Sequence, residues 1–219
     1  MGMFDEQEIR GPKEYPLPGQ YDARLVTVVD IGTSVDTFEG KEILKHGVFI
    51  SFELIGTQDS SGKPFLVGKE YRLTNSKNYV DSRGNPTVRI YEKSNLFKLL
   101  KKWLKPEDEK AITRVSILGA LLKKNAAIKL LIEVELRPDG KKRVSIEGVK
   151  PGDESIAAPA SKTLGYEIGA PGLDSLPQFL QKKIKACYEL NDGFANIGKT
   201  SKQAEPAELG SEDDDSIPF

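Results

Sequence analysis

Four ring side chains, Phe38, Phe49, Tyr79 and Tyr91, stand in a stretch of chain that also carries Arg24, Lys41, Lys45, Lys63, Arg72, Lys77, Arg83, Arg89 and Lys93. A ring stacks on the π face of any base, and cations track phosphates, so this interleaving suits a single-stranded nucleic acid. Each stacked base contributes about 1–3 kcal/mol. A second constellation closes the chain: Ser211-Glu-Asp-Asp-Asp-Ser-Ile-Pro-Phe219. Phe219 suits a small apolar pocket while its carboxylate pairs with an arginine beside it. Glu212 to Asp215 suit a basic rim, adding on-rate more than affinity. A merely solubilising tail gains nothing from Ile217, Pro218 and Phe219 at its extremity.

Other chemistry has thinner support. Glu133 and Glu135 share one strand face but have no third Asp or His partner in view, so they are read as surface carboxylates. Gly32, Gly40 and Gly47 are isolated, with no Gly-Lys-Ser/Thr phosphate loop. Cys187 and His46 are each alone and cannot build a zinc site of the usual Cys/His kind. Cys187 reads as a small semi-buried apolar group. No catalytic residue, metal or cofactor is expected.

The elements that position these residues follow from periodicity. Tyr21 to Asp30 is rich in β-branched residues. Val48, Ile50, Phe52 and Leu54 alternate with Phe49, Ser51 and Glu53, the period of a half-buried strand. Asp59 to Gly62 is a turn, Phe65 to Thr74 a third strand, and Thr87 to Ile90 a short further one. The period then changes. Leu96, Phe97, Leu99, Leu100, Trp103 and Leu104 recur at helical spacing behind an N-cap at Ser94. Lys98, Lys101 and Lys102 read as the solvated face of this helix. Shorter helical pieces follow at Glu107 to Ala111 and Ser116 to Lys124. Ala127 to Arg137 and Arg143 to Val149 form a hairpin around Pro138-Asp139-Gly140. Three strands, a helical insertion and a hairpin predict a mainly β chain, a five-stranded Greek-key OB-fold barrel with the helix between its third and fourth strands. An SH3-like barrel does not accommodate so long a helix.

The predicted organisation is an OB-fold domain over 1–150, a linker over 151–198 with an amphipathic helix at Ser175 to Tyr188, and a disordered acidic tail over 199–219. Residues 1–150 carry 26 Lys and Arg against 21 Asp and Glu, whereas 151–219 carry 6 against 12. The body should attract polyanions and the end should compete with them. No apolar run approaches the roughly 20 residues that span a bilayer, and Met1 to Arg10 does not read as a secretory signal. Both observations point to the cytoplasm.

At Asp213, Asp214, Asp215, Ile217, Pro218 and Phe219 the chain resembles the bacterial and phage single-stranded DNA-binding proteins, with Ser216 an extra residue between acids and Ile. The body looks like phage-encoded members at Tyr91-Glu-Lys-Ser-Asn-Leu96 and Leu176-Pro-Gln-Phe-Leu-Gln-Lys-Lys-Ile184. The resemblance implies a protein that coats single-stranded DNA during replication, recombination and repair. It also implies that Asp213 to Asp215 with Ile217, Pro218 and Phe219 recruit replication and recombination proteins. Arg24, Phe38, Lys41, Lys45, Phe49, Arg72, Lys77, Tyr79, Arg89, Tyr91 and Lys93 are the expected DNA contacts. The competing reading is a replication or recombination accessory enzyme, a nuclease or annealing factor, carrying a similar tail.

Overall fold

A computed structural model describes residues 14–38, 41–80, 86–107, 109–138, 140 and 142–191, with backbone alone at 36–38, 41–44, 74–80 and 86–87. Strands β1 (Gly19–Phe38), β2 (Lys41–Gln58), β3 (Pro64–Val80) and β4 (Pro86–Arg89) follow one another as an antiparallel meander. Helix α1 (Asn95–Leu104), a 3-10 turn at Glu109–Thr113 and helix α2 (Ser116–Lys123) come next. Strands β5 (Ala127–Leu136) and β6 (Lys142–Pro151) form the expected hairpin, and β5 pairs with the start of β1. The order across the sheet is β4-β3-β2-β1-β5-β6.

The alternation sets the inner face. Val48, Ile50, Phe52 and Leu54 of β2 are buried there with Tyr71 and Leu73 of β3 and Ile128, Leu130 and Ile132 of β5. Helix α1 closes this core. Ser94 caps it, its side chain accepting from the Phe97 N–H at 3.1 Å. Its lysines Lys101 and Lys102 sit in the last turn, where the helix dipole favours cations. Leu96, Phe97, Leu99, Leu100 and Trp103 face inward. Trp103 meets Phe52 edge-on, ring centroids 5.7 Å apart, and its Nε1–H donates to the Ala127 carbonyl at 2.7 Å. An indole buried with its polar atom satisfied keeps the apolar gain without a desolvation loss.

The chain is mainly β, as expected, and two details differ from the expected picture. Among the described residues the sheet is open: β4 and β6 are its edges, and no ladder joins β6 to β3 or β4. Helix α1 packs against both β3 and β6.

Nor is the segment after Pro151 a plain linker. Strand β7 (Leu164–Tyr166) runs parallel to β1, pairing Thr27 to Val29 on the edge that β5 leaves at Ala127. A 3-10 turn at Leu173–Ser175, helix α3 (Gln178–Lys185) and helix α4 (Tyr188–Asn191) follow. Tyr166, Leu176, Leu180 and Ile184 bury against Val29, Ile31 and Phe49, building a second core on the opposite face of the sheet. Buried polar groups fasten this cover. Glu53, 3% exposed, accepts from the backbone N–H groups of Ala160 and Ser161, both at 2.7 Å.

Candidate nucleic-acid interface

Strands β2 and β3 pair from Gln58↔Pro64 to His46↔Leu73 and then part. Strand β2 continues with β1 as far as Phe38↔Lys41, and β3 continues with β4 from Thr74↔Arg89 to Val80↔Pro86. Two ribbons therefore leave the same end of the sheet. Phe38 and Lys41 lie at the tip of the first, and Lys77 and Tyr79 on the second. The side chains of these four are outside the described residues. Arg89, at the root of the second ribbon, donates through Nη2 to Thr113 Oγ1 at 3.0 Å. Tyr91, just beyond it, is 39% exposed, and Lys93 is exposed beside it.

At the root of the first ribbon lies a cleft of about 200 Å³, lined among others by Lys45, His46, Glu70, Arg72 and Lys183. The structure thus brings Lys45 and Arg72 together. It adds Lys183 of α3, which forms an ion pair with Glu70. The helix around Lys183 was legible from periodicity; its position beside Arg72 was not, because it depends on the cover folding back over the sheet.

Two expected contacts are placed elsewhere. Phe49 does point to the face opposite Val48 and Ile50, but that face is covered: the ring is 1% exposed and meets Phe179 edge-on at 5.5 Å. It is a core residue of the second cluster and presents no surface to a base. Arg24 is 7% exposed and works as a clamp. Its guanidinium donates to the carbonyls of Asn125 at 3.1 Å, Glu154 at 2.9 Å, Ala157 at 3.3 Å and Ile156, and pairs with the Glu154 carboxylate at 3.3 Å. The planar fork suits this convergence of acceptors, and it holds the chain where it leaves β6 for the cover. Asp213, Asp214, Asp215, Ile217, Pro218 and Phe219 lie outside the described residues.

One cluster has no counterpart in the expected set. The buried His46 ring lies between Asp30, whose Oδ1 is 2.8 Å from Nε2, and Glu189 of α4, whose Oε1 is 3.4 Å from Nδ1. Thr33, fully buried, places Oγ1 3.0 Å from Nδ1, donates its hydroxyl to Glu189 and its backbone N–H to the same carboxylate at 2.8 Å. Burial opposes a charge on His46, but the hydrogen bonds and charges of Asp30 and Glu189 outweigh it and raise the pKa to about 9. For Glu189, too, burial acts against the charge, yet bonds from His46 and Thr33 hold it down at about 2. The ring is therefore an imidazolium with both nitrogens engaged, not a general base. Asp30 and Glu189 sit at opposite nitrogens and do not converge on one point. The cluster is an ionic lock between α4 and the β1–β2 ribbon. Nearby, burial pushes the Cys187 thiol up, leaving it an inert packing group. In sequence the only signal for the lock was a single histidine just ahead of an apolar alternation.

Compared with known proteins, the chain matches no family model, no curated relative and no solved structure. Among the described residues, no helix is long and apolar enough to cross a membrane.

Proposed function

We propose that this chain is a single-stranded DNA-binding protein of the bacterial or phage type. It binds without sequence preference and recruits replication and recombination proteins through its acidic end. The observation that carries the reading is the terminal run from Asp213 to Asp215 followed by Ile217-Pro218-Phe219. The body supports it in two ways. The order β3-β2-β1-β5-β6, with helices inserted before β5, is consistent with the OB-fold reading. The two ribbons, with Phe38, Lys41, Lys45, Lys77 and Tyr79 along them and Arg72, Tyr91 and Lys93 near their roots, combine cations with rings in the manner single-strand binding needs. Such a role belongs to the bacterial or phage-infected cytoplasm and requires no catalysis or cofactor.

The test is a fluorescence-anisotropy titration of labelled oligo-dT at two salt concentrations, with a duplex control. Binding should be tight at low salt, weaken as salt rises because phosphate neutralisation releases counterions, and favour the single strand. No binding at low salt, or equal affinity for duplex, overturns the proposal. Metal-dependent degradation of the oligomer would favour the nuclease reading instead.

A further inference from the structure

A second basic surface lies away from the ribbons. Where the C-terminal end of α1 packs beside the β5–β6 pair, an open groove of about 520 Å³ is lined by Lys102, Lys105, Lys129, Val149, Lys150 and Pro151. Four of its six walls are lysines. Helix-dipole preference accounts for a cation at Lys102. It does not account for the two strand lysines that converge on the same space.

Two features show that this convergence carries a local cost. Lys129 and Lys150 are direct cross-strand partners in the β5–β6 ladder. Like charges placed so are destabilising. Asp22 relieves one of them, its carboxylate 3.2 Å from Lys129 Nζ. Among the described residues no ion pair relieves Lys102, Lys105 or Lys150. Lys105 also occupies the left-handed cap of α1 at φ 45°, where glycine is the residue without strain. The helix dipole favours a cation at Lys105 but not the left-handed backbone it adopts, and the β5–β6 ladder does not favour lysine opposite lysine. A run of cations around an open groove that is also lined by Val149 and Pro151 fits a flexible polyanion. Phosphates meet the ammonium groups one by one, as point charges.

We propose that this groove carries the phosphodiester backbone of single-stranded DNA beyond the segment held at the ribbons, lengthening the site on one protein molecule. The inference rests on the single-strand-binding reading above. The occupant is the DNA strand, and the alternative occupant, the chain's own acidic run Glu212 to Asp215, is separated from it by the test.

The experiment compares the full chain with a K102Q/K105Q/K150Q variant, leaving Lys129 paired with Asp22. All three side chains are exposed, so the thermal midpoint should not move, and a melt confirms this. Labelled dT oligomers of two lengths are titrated across a salt series: about 10 nucleotides, within the roughly 4–16 that one OB fold covers, and about 40. On the long oligomer the variant should lose about tenfold or more in affinity at low salt. Its log K against log salt slope should flatten by about 2, from three lost phosphate contacts at about 0.7 each. On the short oligomer it should match the wild type. Unchanged slope and affinity on the long oligomer overturn the inference. Tighter binding by the variant also overturns it and assigns the groove to the acidic tail. Equal losses on both lengths overturn the extension and make this groove the primary site. If the wild type binds neither oligomer, the functional reading itself falls, and the inference with it.

Discussion

The His46 ring is held between two carboxylates, Asp30 and Glu189. His46 has a raised pKa, so its stabilising contribution is complete below its unfolded value of 6.5 and is lost as pH rises through about 9. Glu189 has a depressed pKa, so its contribution is complete above 4.5 and is lost as pH falls through about 2. The lock is at full strength between those limits, and the thermal midpoint should be highest near pH 5–6 and fall towards pH 9. Glu189→Gln should lower stability by about 1.5–3 kcal/mol at neutral pH, because it removes a charged hydrogen-bond partner and leaves the buried imidazolium with Asp30 alone as counter-charge, and should shift the alkaline loss to lower pH. Calorimetry across pH checks both. The aromatic residues divide in the same way between surface and core. Tyr91→Ala should leave the melt unchanged and weaken oligo-dT binding by about 1–3 kcal/mol. Phe49→Ala should instead cost about 3–5 kcal/mol of stability, since it removes a packed ring. Alternation correctly put Phe49 on the face away from Val48 but could not reveal a second layer over that face. The lock was equally hidden: Thr33 and Glu189 are 156 positions apart, and no local pattern announces a pairing at that range.

At the scale of elements, legibility followed locality. Strands β2 and β5, helix α1 with its Ser94 cap, and the β5–β6 hairpin were readable because their apolar period and turn chemistry are contained within a few residues. The turn at Asp59 was readable for the same reason: its carboxylate accepts from the Ser61 hydroxyl at 2.7 Å and from the N–H groups of Ser61 and Lys63, both at 2.9 Å. In the cover, the helix at Gln178–Lys185 was legible from its apolar stripe, but the three-residue strand β7, set among Pro, Gly and Ser, offers too little period to detect, and the docking of both onto the sheet depends on long-range contacts. Its attachment is nonetheless tight. At Gly32, φ +77°, an added Cβ would stand 2.6 Å from Cys187 Cβ. Gly32→Ala should therefore loosen α4 from the ribbon as well as strain the backbone. The expected result is a loss of about 2 kcal/mol or more in urea unfolding, with faster hydrogen exchange confined to residues 178–191. Uniform loss of protection would show that the cover and the sheet unfold as one unit.

For the whole molecule the governing feature is charge divided along the chain, basic in the first 150 residues and acidic after them. If the acidic end competes with DNA for basic surface, removing residues 211–219 should leave oligo-dT affinity unchanged or modestly higher at low salt. That gain should fade near 0.15 M salt, where the screening length is about 8 Å. The same deletion, or Phe219→Ala alone, should abolish capture of replication proteins in a pull-down, because a single apolar anchor dominates such contacts. Equal capture by full-length and truncated chains would remove the tail from the mechanism.

The central position of β1 also bears on how the chain is made. It meets β2 at once, but its pairing with β7 and the burial of Val29, Ile31 and Phe49 wait for Leu164 to Ile184. At roughly 5–20 residues per second, synthesis of the stretch from Phe49 to Ile184 takes on the order of ten seconds. Throughout it the nascent sheet presents an apolar face with no partner of its own. Long-range closure of this kind is slow and open to off-pathway association. A chain arrested before Leu164 is therefore the form in which this protein should most need a chaperone.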